Sequence, residues 1–324
     1  MSDTTATTDV PDMTYRPLGD SGLMVSTVGL GCNNFGMRID LDATRAVVSE
    51  ALDLGVTLLD TADSYSTSEE FLAQVLKGRR DEVVLATKFG SDVKGANGPD
   101  WGARGSRRYV RLAVERSLRR LETDWIDLYQ LHKPDPNTPI EETLSVLTDL
   151  VHEGKIRYLG HSNLTAWQVA DAEWTARSAG FERFISAQNE YSLLRTEVET
   201  ELVPACEAYG IGLLPYFPLA SGLLAGKYRR GDAPPEGGRI AAWGMSAVLN
   251  DANFDRIEAL ETFAAERGIT LLDVAMGGLA ARPTVASVIA GATSAEQIRA
   301  NVAAGLWEPT DEDHAALLSL TRRR

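Results

Sequence analysis

From about residue 28 onward, short apolar runs alternate with stretches of helical periodicity. Eight runs predict strands: Val28–Leu30, Val56–Thr61, Val83–Thr87, Trp125–Leu131, Ile156–Leu159, Ile185–Gln188, Ile211–Tyr216 and Val285–Ile289. They are apolar at consecutive rather than alternate positions, the pattern of strands covered on both faces. Helices are expected between them. Ala43–Leu54 follows Asp42 as N-cap and stops at Gly55, and Arg107–Leu121 carries Val110, Val114, Leu118 and Leu121 on one stripe. Ile140–His152 ends before Gly154, Ala166–Ala179 at Gly180 and Ala295–Ala304 at Gly305. Glu197–Tyr209 ends at Gly210, with Pro204 expected to interrupt or kink it.

A strand-then-helix rhythm without a block of consecutive strands argues for a parallel sheet, and eight strands are the number that closes a (β/α)8 TIM barrel. One such domain is expected over 14–320, with an extra C-terminal helix. Thr14–Met24, around Leu18-Gly-Asp-Ser-Gly22, reads as a hairpin plug before the first barrel strand. Gly90–Gly105 and Leu219–Asn250 are long, glycine-rich interruptions after strands, expected at the C-terminal face of the barrel as functional loops. An open doubly wound sheet is the rival. Its GxGxxG fingerprint fails here, because Gly29, Gly31 and Gly36 fall at i, i+2 and i+7.

Composition narrows the partners. Acidic residues outnumber basic ones 46 to 32, for a net charge of -14. Such a surface repels phosphodiester backbones and anionic headgroups, so neither nucleic acid nor membrane is expected as a partner. No apolar stretch approaches the ~20 residues of a membrane span. Only two cysteines occur, Cys32 and Cys206, without CxxC spacing, which fits a reducing cytoplasm. Residues 1–13, polar and threonine-rich, read as a disordered tail and not as a signal peptide. Nothing along the chain decides the oligomeric state.

In a barrel, chemistry sits where strands run into the following loops. Asp60 and Tyr65 follow the second predicted strand, Lys88 the third and His132 the fourth. Singly, each has a structural reading: a cap, a packed ring, a snorkelling amine, a core imidazole. Together they fit proton donation to a developing alkoxide. A phenol holds its proton at neutral pH, a neighbouring ammonium favours the phenolate, and a carboxylate orients the ammonium. His132 can then hydrogen-bond the substrate oxygen. No metal-ligand spacing such as HExxH occurs, and no residue of the group is a good nucleophile, so redox chemistry with an organic cofactor fits better than hydrolysis.

Motifs carry the reading further. In order they are Asp60-Thr-Ala-Asp-Ser-Tyr65 with Glu69, Ala86-Thr-Lys88-Phe-Gly, Asp127-Leu-Tyr-Gln-Leu-His132, Gly160-His-Ser-Asn163 and Gln188-Asn-Glu190. Tyr216-Phe-Pro-Leu219 and Gly291-Ala-Thr-Ser-Ala-Glu-Gln-Ile-Arg-Ala-Asn301 complete the series. In their order and spacing the chain resembles the aldo-keto reductases over about residues 14 to 305. The resemblance implies a catalytic tetrad of Asp60, Tyr65, Lys88 and His132, acting on a small-molecule carbonyl. It implies that Ser162, Asn163 and Gln188 hold a nicotinamide carboxamide while Tyr216 stacks on the ring. The phosphates would lie along Leu219, Ser221, Gly222 and Lys227, and the adenosine end near Arg239, Gly291, Thr293, Gln297 and Asn301.

NADPH/NADP+ is expected in preference to NADH, on Arg239, Thr293 and Gln297. Positions 291 and 297 depart from members with a strong 2′-phosphate clamp, which often carry Lys or Arg there. Cys32-Asn33 departs where the family often has a small residue followed by Trp or Met. Asn34, Asp63, Trp101 and Asp135 are candidate pocket residues, and His161 is expected to be structural. The alternative function is a nucleotide-binding regulatory subunit resembling potassium-channel β-subunits. A long N-terminal inactivating segment, which would favour it, is not expected here. A non-redox barrel isomerase or hydrolase, binding no dinucleotide, is the third reading.

Overall fold

Continuously apolar strands have nothing to offer water on either face, so they must be covered inside and out, and this chain does so by closing a ring. The computed structural model describes residues 13–232, 240 and 244–321. The tail expected over 1–12 lies outside the described residues. After an antiparallel hairpin of β1 (Tyr15–Pro17) and β2 (Met24–Ser26), eight parallel strands follow. They are β3 (Val28–Gly31), β4 (Leu58–Asp60), β5 (Val84–Phe89), β6 (Ile126–Leu131), β7 (Ile156–Ser162), β8 (Phe184–Gln188), β9 (Gly212–Leu213) and β10 (Val288–Gly291). Their spatial order is β10-β3-β4-β5-β6-β7-β8-β9. The ring closes where Leu213 N–H donates to Thr284 O (2.7 Å) and Ala286 N–H to Leu213 O (3.0 Å). All eight expected strands are present in the expected order. The last starts three residues later than expected, because Val285 and Ala286 belong to the closing seam.

Helices α3 (Arg107–Leu121), α4 (Ile140–His152) and α5 (Ala166–Ala179) have the expected bounds. α1 (Leu41–Asp53) is capped by Asp40, whose carboxylate accepts from Ala43 N–H at 2.9 Å. The expected cap, Asp42, sits instead in the first turn, where its charge still meets the helix dipole. The stretch expected as one helix over 197–209 is a 3-10 turn, Glu197–Glu199, followed by α6 (Leu202–Tyr209). Pro204 does not kink it, because it occupies the first turn, where a missing N–H breaks no intrahelical bond.

Three helices lie outside the expected set: α2 (Ser68–Val75), α7 (Asp251–Glu266), whose Phe254, Ile257, Leu260 and Phe263 form a buried stripe at helical spacing, and α8 (Leu271–Ala280). In α8 both the residues at 274–280 and Leu271 are buried, so no polar stripe marks it. α9 (Ala295–Gly305) and the expected C-terminal helix, α10 (Asp311–Thr321), complete the outer layer.

Two apolar shells result. The outer one, between strands and helices, includes Leu30, Leu59, Leu85, Val110, Tyr129 and Leu144. The inner one is small: Leu58, Ala86, Leu128, Leu214, Ala286 and Ile289, with Leu18 and Val25 from the hairpin. The hairpin therefore stoppers the N-terminal end of the barrel. Asp20 N–H donates to Gly210 O at 2.7 Å, and Gly19 packs so tightly that a Cβ would lie 2.4 Å from Gly210 O and 2.6 Å from Ile185 O. With a φ of +58°, Gly19 also adopts a conformation that side chains disfavour. Gly19→Ala is expected to lower stability by about 2–3 kcal/mol. Chemical denaturation measures it, and a loss below ~0.5 kcal/mol would show that the plug is loosely seated.

Candidate active site

The parallel register brings every predicted polar strand end to one mouth. Asp60 ends β4, Ser162 ends β7, Gln188 ends β8 and Gly291 ends β10, while Lys88 lies one residue inside the end of β5. His132 follows β6 directly, and Tyr65 sits on the loop after β4. All but the buried Lys88 line a cavity of about 1200 Å³ at the C-terminal end of the barrel. Asp60, Tyr65, His132, Ser162, Asn163 and Gln188 line one end of it. Tyr216, Leu219, Ser221, Gly222 and Lys227 line its flank, and Gly291, Thr293, Gln297 and Asn301 its far end. Arg239 lies outside the described residues.

Beneath the tyrosine, Lys88 is fully buried and ion-paired to Asp60, Nζ to Oδ2 at 2.6 Å, with a second bond to Thr61 O at 2.9 Å. Burial disfavours the ammonium, but Asp60 and then Tyr65 outweigh it, and the Lys88 pKa rises above its ordinary value. The amine stays charged. Its Nζ lies 5.1 Å from the centroid of the Tyr65 ring. The acidifying effect expected of Lys88 on the phenol is present but does not prevail. Burial pushes the Tyr65 pKa up, Lys88 opposes it, and Asp60 adds to the rise. Tyr65 is thus a phenol that keeps its proton through neutral pH, beside a cation able to stabilise the phenolate.

His132 meets Tyr65 edge-to-face, with ring centroids 5.8 Å apart. Burial first, then Lys88 and Lys133, lower its pKa to about 3, so the imidazole is neutral at physiological pH. It can donate or accept one hydrogen bond without bringing a charge. Asn163 joins the mouth together: its amide donates to His132 O (3.0 Å) and Ser162 Oγ (2.9 Å), and its carbonyl accepts from the Tyr216 hydroxyl (2.8 Å). Asn163 has a φ of +63°. Ser162 Oγ donates to Gln188 O at 2.7 Å.

At the other end, Phe217, Ala220, Ser221 and Gly222 all have positive φ between 46° and 102°. The turn bonds to itself, Ala220 N–H donating to Phe217 O and Gly222 N–H to Leu219 O, both at 2.8 Å. Ser294 caps α9, and Gln297 accepts from the N–H and hydroxyl of Thr293 at 2.9 and 3.0 Å. Asn301 is buried, with its amide 3.5 Å from Gly291 O. Arg299, two residues beyond Gln297, is paired with Glu50 at 2.8 Å.

Residue-by-residue reading missed Gln130. Its amide donates to Asp60 Oδ1 at 3.0 Å and its carbonyl accepts from Gln188 Nε2 at 3.3 Å. The signal was a single amide within the apolar run Ile126–Leu131. Of the candidate pocket residues, Asn34 does line the cavity, and it ties to Ala292 O at 3.3 Å. Asp135 instead fastens the loop at Gly105, Asn137 and Thr138. Trp101 is 78% exposed, stacked under Arg108. His161 is buried against Phe184 as a core residue, its pKa lowered to about 3 by burial.

The family model described as "Aldo/keto reductase family" matches residues 27–322. The chain is 35% identical over 303 residues to a probable voltage-gated potassium channel subunit beta of Oryza sativa subsp. japonica, covering 90% of this chain and 91% of that protein. It is 33% identical to the L-glyceraldehyde 3-phosphate reductase of Escherichia coli (strain K12), covering 90% and 87%. To the versiconal hemiacetal acetate reductase of Aspergillus parasiticus it is also 33% identical, covering 93% and 95%.

Asp63 lies behind the mouth instead of in it. Asn97 Nδ2 donates to one carboxylate oxygen at 2.7 Å and the other oxygen is buried without a partner. Burial, then Glu69, raises its pKa to about 7. The folded protein therefore holds this proton up to near neutrality, whereas the unfolded chain releases it near pH ~4. Stability from this group is present at acid pH and is lost as pH climbs through about 4 to 7. Asp63→Asn is expected to stabilise the protein at pH 8 by about 1–3 kcal/mol and to have a clearly smaller effect at pH 4, measured by urea unfolding at both pH values. An equal effect at both would contradict the buried proton.

Proposed function

This chain belongs to the aldo/keto reductase family, an oxidoreductase family, and on that premise we propose that it is an NADPH-dependent enzyme that reversibly reduces an aldehyde, ketone or sugar-type carbonyl to the alcohol. The observation that carries the reading is the buried line Asp60–Lys88–Tyr65 ending at a large cavity beside a neutral His132. At about 1200 Å³ the cavity exceeds the ~300–1,000 Å³ of ordinary small-ligand sites, and it runs on from the tyrosine past amides, hydroxyls, a left-handed turn and Lys227. That size and donor set fit a dinucleotide beside a small carbonyl compound.

When bound, NADPH supplies the hydride that goes to the carbonyl carbon. Ser162, Asn163 and the Gln188 carbonyl would hold its carboxamide, and the Tyr216 ring, anchored by its hydroxyl to Asn163, would present a flat face to the nicotinamide. Leu219, Ser221, Gly222 and Lys227 would take the phosphates, with Gly291, Thr293, Gln297 and Asn301, and Arg239 beyond the described residues, toward the adenosine. Tyr65 gives its proton to the carbonyl oxygen as that oxygen gains negative charge. Lys88, kept charged by Asp60, stabilises the phenolate left behind until solvent returns a proton. His132, uncharged, orients the substrate oxygen by a hydrogen bond.

A cytoplasmic location is part of the reading. The two cysteines are buried and unpaired, and among the described residues no helix is long and apolar enough to cross a membrane. Likeness to potassium-channel β subunits is accompanied by comparable likeness to reductases and does not favour a channel role.

Oxidation of NADPH with a panel of small aldehydes and ketones, followed by nicotinamide absorbance, is expected to show turnover. Tyr65→Phe should lower kcat at least ~100-fold with dinucleotide binding little changed. Wild-type rates in that variant would remove Tyr65 as the acid. By fluorescence titration NADPH is expected to bind more tightly than NADH, and Lys227→Ala to weaken NADPH by about 3–10-fold. Equal affinities for the two dinucleotides would overturn the preference.

A further inference from the structure

The inward positions of a barrel of this kind are ordinarily filled with branched apolar side chains. Position 130 is an exception, because β6 directs Leu128 into the inner apolar shell and, two residues on, a fully buried glutamine into the same interior. The register pairs Gln130 with Lys88 on one side and with Gly160 on the other. Gly160 is what makes room. A Cβ there would stand 2.9 Å from Gln130 Cγ and 2.3 Å from Ser186 Oγ.

Through that space Gln130 reaches the carboxylate that holds Lys88. Asp60 Oδ2 receives the ammonium at 2.6 Å, and Oδ1 receives two amide hydrogens, from Gln130 at 3.0 Å and Gln188 at 2.9 Å. The glutamines are bonded to each other at 3.3 Å, so Gln188 has both amide hydrogens directed inward and its carbonyl oxygen left for the cavity. An amide can hold Oδ1 in place without adding a charge that would compete with Lys88.

We propose that Gln130 is a positioning residue of the active site: it fixes Asp60 toward Lys88, and Gln188 toward the cavity, and thereby sets the proton-donating strength of Tyr65. This rests on the reading of the site given under Proposed function. The titratable groups facing Asp60 are Lys88 and Tyr65, with Cys32 packed behind it. Without Gln130, Asp60 Oδ1 loses one of its two donors and the carboxylate is free to turn. Lys88, deeply buried, then holds its proton less firmly, and the phenolate of Tyr65 loses support.

Two variants test this beside Tyr65→Phe, with the same aldehyde and ketone panel. Gln130→Met keeps the length and removes the hydrogen bonds. It should lower kcat by about tenfold with little change in KM, and move the alkaline limb of the pH–rate profile to lower pH. Gln130→Glu donates only while protonated, and the adjacent Asp60 keeps it so at low pH. Its rate should approach wild type in acid and fall with rising pH across a range where wild type is flat. A wild-type kcat and pH profile in Gln130→Met overturns the proposal. If thermal melting shows that Gln130→Met does not fold, a Gln130→Glu profile parallel to wild type does the same. The control separates the two levels. Turnover retained by Tyr65→Phe, or none by wild type on the whole panel, removes the reading of the site and this inference with it. Loss in Tyr65→Phe with unaltered Gln130 variants removes only the role of Gln130.

Discussion

A lysine ammonium sealed from water is among the most demanding groups a fold can contain, because an unpaired buried charge is expensive by several kcal/mol. Lys88 is 0% exposed, and the architecture around the mouth answers it. Asp60 supplies the counter-charge from the neighbouring strand, Thr61 a carbonyl, and Tyr65 the open side toward the cavity. Parallel pairing makes this possible without long-range coincidence, since β4 and β5 are adjacent, with Asp60 in register with Ala86 and Lys88 two residues further along the neighbouring strand. The chemistry at the surface of the cavity is therefore inseparable from the electrostatic balance beneath it.

That balance needs a dry, rigid floor. The inner shell of Leu58, Ala86, Leu128, Leu214, Ala286 and Ile289, closed from below by Leu18 and Val25, provides one. Above it come Asp60, Lys88, Gln130 and Gln188, each buried and each hydrogen-bonded. The barrel interior is thus stratified, apolar toward the stopper and polar toward the mouth. A satisfied polar layer of this kind is rigid because each of its members constrains the next.

The sequence was most legible where period and position coincide. Consecutive apolar residues marked eight strands, and the glycines that follow α4 and α5 bounded those helices closely. It was least legible where burial is nearly complete, as in α8, or where a segment is short, as in α2. Asp40 rather than Asp42 caps α1 because two acids compete for one role, and only backbone geometry separates them. At the site, strand ends placed Asp60, Lys88, His132, Ser162 and Gln188, since a parallel sheet turns sequence position directly into height along the barrel. The rise in the Tyr65 pKa was not legible. It depends on how deeply the ring is buried, which no motif encodes. Gln130 was obscured for a related reason, because its partners are 70 and 58 residues away in the chain.

The joint between β9 and β10 is the barrel's thinnest stave. β9 has only two residues, and Leu213 carries the closing hydrogen bonds on its flank. The loop bearing Leu219 to Lys227 hangs from one side of that joint, and Gly291, Thr293 and Asn301 from the other. A long ligand lying across both would act as a clasp, lacing the two edges of the cylinder together. Its binding energy would then add to folding stability, so that occupancy and the integrity of the barrel rise and fall as one quantity.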